Sequence, residues 1–489
     1  MKHWFKIGML FCLLLGVGSC KKFLEVKPLD TLSGKDFWKT RGDAQKAVSG
    51  IYSKLLQKFT NGVIYNVGDF RAGNWNWFDK NGFRNLAANR LLQAGGDGIE
   101  DIPDWGLFYQ AIATANLCID RIPGIEDPAF SSREKKALVA EARFVRAFIY
   151  FYMSRLYGDV PLQTDPYDIT LRPREKMLTV LDFCLKDLEG CKDDMVISYD
   201  DPTNRAVRGT KGAALALMAH INMWSAGFDP ANQQKYWTQT ADLIKELMAL
   251  NEYKLLPYTK ETFQTIFKGR SEEGIFELSL DANYGGAFHF LICQWTLHDP
   301  IIRDGLNGNS EITPMVRHLD RVYPRGESDK RIDLWFDDPY ASKGEKKPMF
   351  LKFSAITNPI TRDYDANFIL FRYADVILLR AEALANLGNR NAEAIEMLNL
   401  VRDRAGAKLY AGGGGEPLKT AIFYEREKEL MGEGHLWYDL IRTGRIGDRI
   451  LTENPLTPDL MEKGAWTWPI SSSAVNNNPL VTRNQYWIQ

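Results

Sequence analysis

Apolar positions recur along most of the chain with a helical period. Over residues 36–58, Phe37, Ala44, Ala47, Val48, Ile51 and Leu55 fall on one face. A second helix is predicted over 105–121, stopped by Pro123. The longest covers 133–157, where Leu138, Ala142, Val145, Phe148, Ile149, Tyr152 and Leu156 form the stripe and Gly158 is the stop signal. Further helices are predicted over 175–188, 210–225, 236–250, 368–387, 392–404 and 418–442. Residues 254–367 read differently. Ile275 to Leu280 alternate as in a strand, and the many Gly, Pro and Asp residues around them predict a loop-rich region. The segment after Asn454 is rich in Pro and Asn and irregular.

Two of these helices form a tight pair. Leu379, Ala383 and Leu387 precede Gly388, and Ala394, Leu398 and Val401 follow it, so small residues stand where antiparallel helices touch. The spacing resembles a tetratricopeptide repeat with about one extra residue in the turn. Residues 212–249 are a looser version, with Ala213, Ala216, Gly227, Ala241 and Met248 in similar places and an insertion at 228–236. The expected fold class is mainly α: stacked tetratricopeptide-like helix pairs, an irregular loop-rich ligand-binding region and little β.

The N-terminus departs from this pattern. Lys2 and Lys6 precede an apolar run at 7–18, twelve residues long and short of the ~20 needed to span a bilayer. It ends in Val17-Gly18-Ser19-Cys20, which resembles the lipobox of bacterial lipoproteins. There the signal is cut before the cysteine, which then carries lipid. A plain secretory signal is the alternative. Removing residues 1–19 takes Lys2 and Lys6 with it and changes the formal net charge from -1 to -3. Residues 20–34 read as a linker from anchor to body. Cys184 and Cys191, seven apart on one predicted helix, lie about 10 Å apart along its axis, too far for a disulfide. Buried free thiols are expected at these positions and at Cys118 and Cys293. With 61 Lys+Arg against 62 Asp+Glu, the chain has no electrostatic footprint for nucleic acid. A mean hydropathy of -0.29 excludes a polytopic membrane protein.

Several segments, in order, carry a more specific resemblance. They begin with Cys20, Phe23-Leu24, Pro28, Phe37-Trp38 and Trp105-Gly106-Leu107-Phe108-Tyr109. The longest runs from Ala140-Glu141-Ala142-Arg143-Phe144 to Leu156-Tyr157-Gly158-Asp159-Val160-Pro161. Arg208-Gly209-Thr210-Lys211-Gly212, Asp329-Lys330-Arg331 and Arg372-Tyr373-Ala374-Asp375 follow, then Glu425-Arg426-Glu427, Trp437-Tyr438-Asp439-Leu440 and Trp468-Pro469-Ile470. Together these resemble the SusD/RagB family of Bacteroidetes outer-membrane nutrient-binding lipoproteins. His435-Leu436 departs from the pattern, where the family usually shows an arginine, and 281–310 carries no family signature. The resemblance implies four tetratricopeptide-like pairs in a single body at 35–489, with an N-terminal part at about 35–225 and a C-terminal part at about 226–489. It implies lipid anchoring at Cys20 on the exterior of the outer membrane and pairing with a SusC-like TonB-dependent transporter. It also implies capture of oligosaccharide or polysaccharide, or in some members peptide, without catalysis.

Catalytic constellations are sparse. Glu425, Glu429 and Glu433 fall on one face of a predicted helix, but Arg426, Lys428, Arg442 and Arg445 nearby suggest salt-bridged structure. No H-E-x-x-H, no G-x-S-x-G and no EF-hand spacing occurs; the acidic loop of Asp97, Glu100, Asp101 and Asp104 lacks that register. Neither a cofactor nor a metal is expected. A lipid-anchored glycoside hydrolase and a peptide-binding protein remain as alternatives to a glycan receptor.

Aromatic residues carry the ligand expectation. Arg71-Ala72-Gly73-Asn74-Trp75-Asn76-Trp77-Phe78 lies in polar, glycine-containing sequence between helices, and Tyr284, Phe288, Phe290 and Trp295 lie in the loop-rich region. Sugars pack a C–H face on aromatic rings while Asn and Arg meet their hydroxyls. Trp75, Trp77, Tyr284 and Trp295 are therefore the expected stacking residues, with Arg71 and Asn74 as polar partners. Stapling of the loops to the body is an equally open role for them.

Overall fold

The computed structural model describes residues 37–59, 62–77, 80–92, 96–280, 291–302, 310–340, 347–356 and 366–488. Cys20, the 20–34 linker and Tyr284 lie outside the described residues. Helices dominate, and among the described residues eight of them pack as four pairs. The first joins α1 (Arg41–Lys58) to α3 (Gly106–Arg121), with α2 (Val63–Phe70) in the intervening segment. The second is α4 (Ser132–Tyr157) with α5 (Met177–Glu189). The third is α6 (Lys211–Phe228) with α7 (Gln233–Ala249), and the fourth α8 (Tyr373–Leu387) with α9 (Asn391–Arg404). Each pair packs on the next, so one continuous core runs along the stack. Among the described residues, no helix is long and apolar enough to cross a membrane.

The helix starts follow local chemistry. Thr40 and Ser131 each close a capping box, with Asp43 and Glu134 as the returning carboxylates. Gly388, at φ 78°, closes α8 in the left-handed conformation that a side chain resists. The predicted stripe of α1 is buried as read: Ala44, Ala47, Val48, Ile51 and Leu55. All four described cysteines are buried free thiols.

Two predicted helices need correction. The first four or five residues of the 368–387 prediction are a strand. Phe368–Arg372 pairs antiparallel with Gly274–Leu278, and all ten residues are buried. A short apolar run buried on every side has no period to distinguish strand from helix. The 418–442 prediction breaks in two, giving α10 (Glu416–Glu429) and α11 (Leu436–Arg442). Gly432 and Gly434 have φ of 84° and 81°, and a Cβ on Gly434 would stand 2.0 Å from the Tyr65 carbonyl oxygen. The break lets this turn lie directly on α2, where the Asp69 carboxylate accepts the Gly434 N–H. Glu433 therefore lies beyond the helix that carries Glu425 and Glu429.

Glu277, buried in the strand Gly274–Leu278, sets a pH dependence. Its Oε2 accepts from Arg270 N at 2.8 Å and Asn367 Nδ2 at 2.7 Å, while Oε1 has no hydrogen-bond partner among the described residues. Burial pushes its carboxyl up to about 7. A raised folded value means the neutral acid is favoured on folding. Stability is then full below the unfolded value near 4, falls as pH rises toward 7 and levels off above it. Glu277→Gln should remove this slope and be more stable than wild type at pH 8 by up to about 3 kcal/mol, with little difference at about pH 4. Asp69, raised to about 7 by burial, leaves a slope of its own in the variant. Urea unfolding at the two pH values tests this; equal losses in both proteins would show that Glu277 does not titrate there.

Candidate ligand-binding site

Two long insertions interrupt the helix stack, one at 59–105 within the first pair and one at 250–372 between the third and fourth. They meet at a short strand pair. Trp75–Trp77 lies antiparallel to Ile312–Pro314, with Trp75 opposite Pro314, Asn76 opposite Thr313 and Trp77 opposite Ile312. Side chains alternate across a strand, so Trp75 and Trp77 share one face, both against Phe70, with Asn76 on the other, and it is depth of burial that separates the two rings. Trp75 is 1% exposed, edge-on to Phe70 at 5.2 Å and to Phe350 at 5.4 Å between centroids. Trp77 is half-buried. It stacks on Phe83 at 5.3 Å with planes 15° apart and meets Phe70 edge-on. Trp295 is 7% exposed and stands edge-on to Phe83 at 5.5 Å. The structure thus brings Trp75, Trp77 and Trp295 together through Phe70 and Phe83.

Burial changes what three of the expected residues do. Arg71 is fully enclosed. Its Nη1 donates to Trp466 O at 2.8 Å, and its Nη2 to Asn89 Oδ1 and Ala465 O at 2.7 Å and to Thr467 O at 2.9 Å. The guanidinium lies 4.5 Å from the Trp437 ring centroid, and burial draws its pKa down to about 9. Asn74 Nδ2 donates to Leu451 O at 2.9 Å. Both side chains fasten the β-turn region to the C-terminal segment, so neither presents a donor to a ligand. Trp75 likewise offers no ring face, and its role in this conformation is the staple. Gly73, at φ 79° with the Glu453 Cβ 2.9 Å from where its own Cβ would stand, permits that close approach.

Polar groups that the sequence reading missed gather at Trp295, which Phe83 links to Trp77. Lys80 Nζ stands 4.4 Å from the Trp295 centroid, 2.5 Å from Glu311 Oε2 and 4.0 Å from Asp97 Oδ1. Asn76 Nδ2 is 3.5 Å from Thr313 Oγ1, a weak bond that leaves the amide available. A half-open indole with an amide, an ammonium and a carboxylate in the same region suits a ligand with an apolar face and many hydroxyls. No local signal marks Lys80 and Glu311 as partners, because the pair spans the two insertions.

The other carboxylate groups are structural. Glu429 accepts from Arg331 Nη1 at 2.8 Å, Arg372 Nη1 at 2.6 Å and the Tyr258 hydroxyl at 2.6 Å, and also pairs with Arg404. Glu425 pairs with Arg402 and Arg331, and Glu433 with Lys352 and Arg372. The acidic loop is closed by an ammonium: Lys58 Nζ donates to the carbonyls of Asp101 and Asp104.

Residues 23–223 match a family described as starch-binding associating with the outer membrane, and residues 339–487 match the SusD family. SusD-like protein P38 of Formosa agariphila is 27% identical, over 99% of this chain and 99% of its own. Surface glycan-binding protein A of Bacteroides uniformis shares the fold, with a TM-score of 0.71 at 20% identity over 91% of this chain and 100% of that one. A SusD homolog of Bacteroides thetaiotaomicron is 30% identical, covers 92% of this chain and 99% of its own, and superposes with a TM-score of 0.81. With that identity sustained along both chains, on the four helix pairs described above, the chain belongs to the SusD/RagB family.

Proposed function

We propose that the protein is a cell-surface receptor that captures oligosaccharide and passes it to a partner TonB-dependent outer-membrane transporter. Trp77 carries the reading: a half-open ring backed by Phe83, which joins it to Trp295 and the Lys80–Glu311 pair, where two insertions meet on a rigid helical scaffold. The family description of the N-terminal region as starch-binding supports a glycan as cargo. Trp295 joins the site at its edge, and Tyr284 is proposed as a further ring from the neighbouring segment. A receptor without chemistry of its own is supported by Glu425 and Glu429, the conspicuous carboxylates, being engaged by guanidinium groups. Affinity electrophoresis of the purified protein through gels containing neutral or acidic polysaccharides tests the reading. Retardation by at least one polysaccharide, without new reducing ends, is expected. Reducing ends released in proportion to protein would mark a glycoside hydrolase instead. Binding of peptides with no retardation by any polysaccharide would move the cargo to peptide.

Anchoring completes the proposal. Residues 1–19 are the signal, Cys20 carries the lipid, and 20–34 tether the body at 35–489. Several acyl chains on one residue hold a protein stably, since each buried methylene contributes ~0.8 kcal/mol. The anchor also raises the effective concentration of a membrane partner, so a modest interface persists. Wild type extracted from outer membranes in mild detergent should co-purify with a large β-barrel protein, and Cys20→Ala should be released from the membrane or left uncut. A Cys20→Ala protein that is cut normally and stays membrane-bound would remove the lipid anchor from the account.

A further inference from the structure

A cleft of about 880 Å³ lies apart from Trp77, Phe83 and Trp295. Segment 323–340 forms one wall, the loop at 407–411 after α9 forms another, and Glu425 and Lys428 of α10 contribute to its lining. Its size falls in the range of small-ligand sites, roughly 300–1,000 Å³.

Two half-buried tyrosines, Tyr340 and Tyr410, line the cleft from different segments, and both are held in place. Tyr410 is clamped by Asn399, whose Oδ1 accepts the Tyr410 N–H at 2.8 Å while its Nδ2 donates to Tyr410 O at 3.0 Å. The Tyr410 hydroxyl donates to Gly413 O at 2.8 Å. Tyr340 carries the Arg325 guanidinium 4.2 Å from its ring centroid. Such fixed rings lose little freedom when a ligand arrives.

The charges divide into two sets. Arg402 pairs with Glu425 at 2.9 Å, Arg325 with Asp320 at 2.6 Å, and Lys428 lies 3.8 Å from Asp329. These pairs leave no large excess of either sign to select a strongly charged ligand. Glu327, Asp333 and Lys408, by contrast, are exposed at the cleft and form no ion pair among the described residues. A carboxylate accepts two hydroxyl hydrogens and an ammonium donates to hydroxyl oxygens. Rings from two lining segments with such groups in the same cleft match a chain of neutral sugars.

We propose that this cleft is a second carbohydrate site, which takes a neutral oligosaccharide between Tyr340 and Tyr410 with Asp333 and Lys408 on its hydroxyls. The inference rests on the reading of the protein as a glycan receptor and extends it to two-point capture of one polysaccharide. Two linked contacts raise avidity without a new interaction in either.

The experiment is calorimetric titration of the mature chain with maltohexaose, laminarihexaose, cellohexaose, xylohexaose and mannohexaose, followed by crystals soaked in whichever binds. Two equivalents are expected in wild type. Tyr410→Ala and, separately, the exposed Asp333→Ala should each weaken one of them tenfold or more and leave the other. Trp77→Ala should do the reverse, and circular dichroism confirms that each variant is folded. A stoichiometry of one, abolished by Trp77→Ala, untouched by Tyr410→Ala and Asp333→Ala, and with no sugar density in the cleft, overturns the second site and keeps the receptor. Binding of none of the five sugars overturns the second site. If affinity electrophoresis then still shows retardation by another polysaccharide, the receptor stands alone; if it does not, both fall.

Discussion

Glu429→Ala should cost about 3–5 kcal/mol of stability, the penalty typical of removing one partner from a buried ion pair. That is a large share of the roughly 5–15 kcal/mol that holds a folded domain together, so soluble yield should fall with it. Glu429 is fully buried at the end of α10 and is met by Arg331, Arg372, Arg404 and the Tyr258 hydroxyl. Burial alone would push its carboxyl up, but the three guanidinium charges win and hold it well below the ordinary range. A depressed folded value means that the stabilisation is present above the unfolded pKa and lost as pH falls through the folded one. Alanine removes the one carboxylate that all three guanidinium groups share: Arg331 keeps Asp329 and Glu425, Arg372 keeps Glu273 and Glu433, and Arg404 keeps only Glu273, which Arg372 also uses. Glu429→Gln keeps the shape and removes the charge, and should be destabilised in the same direction. Denaturant midpoints measure both. Asp320→Ala, which breaks the exposed pair with Arg325, is the control and should leave the midpoint where it is. A Glu429→Ala midpoint equal to that of the control would mean that the network is ornamental to the fold.

Trp77→Ala should lower glycan affinity about thirtyfold, or about 2 kcal/mol, the loss expected of a stacking hot spot. Its neighbour two residues earlier should behave in the opposite way. Trp75→Ala opens a cavity between Phe70 and Phe350 and should cost about 3–5 kcal/mol of stability, with affinity unchanged in whatever fraction remains folded. The pair separates a ligand platform from a staple within one strand. Titration of folded protein reads the first effect and thermal unfolding the second. If Trp77→Ala is folded and binds the cognate glycan like wild type, the strand pair is not the site.

Much of the helical scaffold was legible in the residues. The stripes of α1 and α4 and the glycine stops at 158 and 388 all depend on contacts within a few positions. The candidate site was legible only as a region. The Trp-Asn-Trp segment stood out because no helix needs it. Yet its neighbours Lys80 and Glu311, and the pairing of Trp75 with Pro314, depend on residues more than two hundred positions apart. The same holds for Arg71. In sequence it is a polar residue beside tryptophans, and only its distance of nearly four hundred residues from Thr467 turns it into a buried fastener.

Period and stops therefore determined the helices, and ordered motifs determined the family, because both are written in neighbouring residues. Tertiary structure alone decided which tryptophan is buried, which carboxylates are neutralised and where the chain leaves a cleft. Those outcomes depend on what the opposing segment presents. A side chain's exposure and charge environment belong to the two surfaces that meet, and one strand of residues describes only one of them.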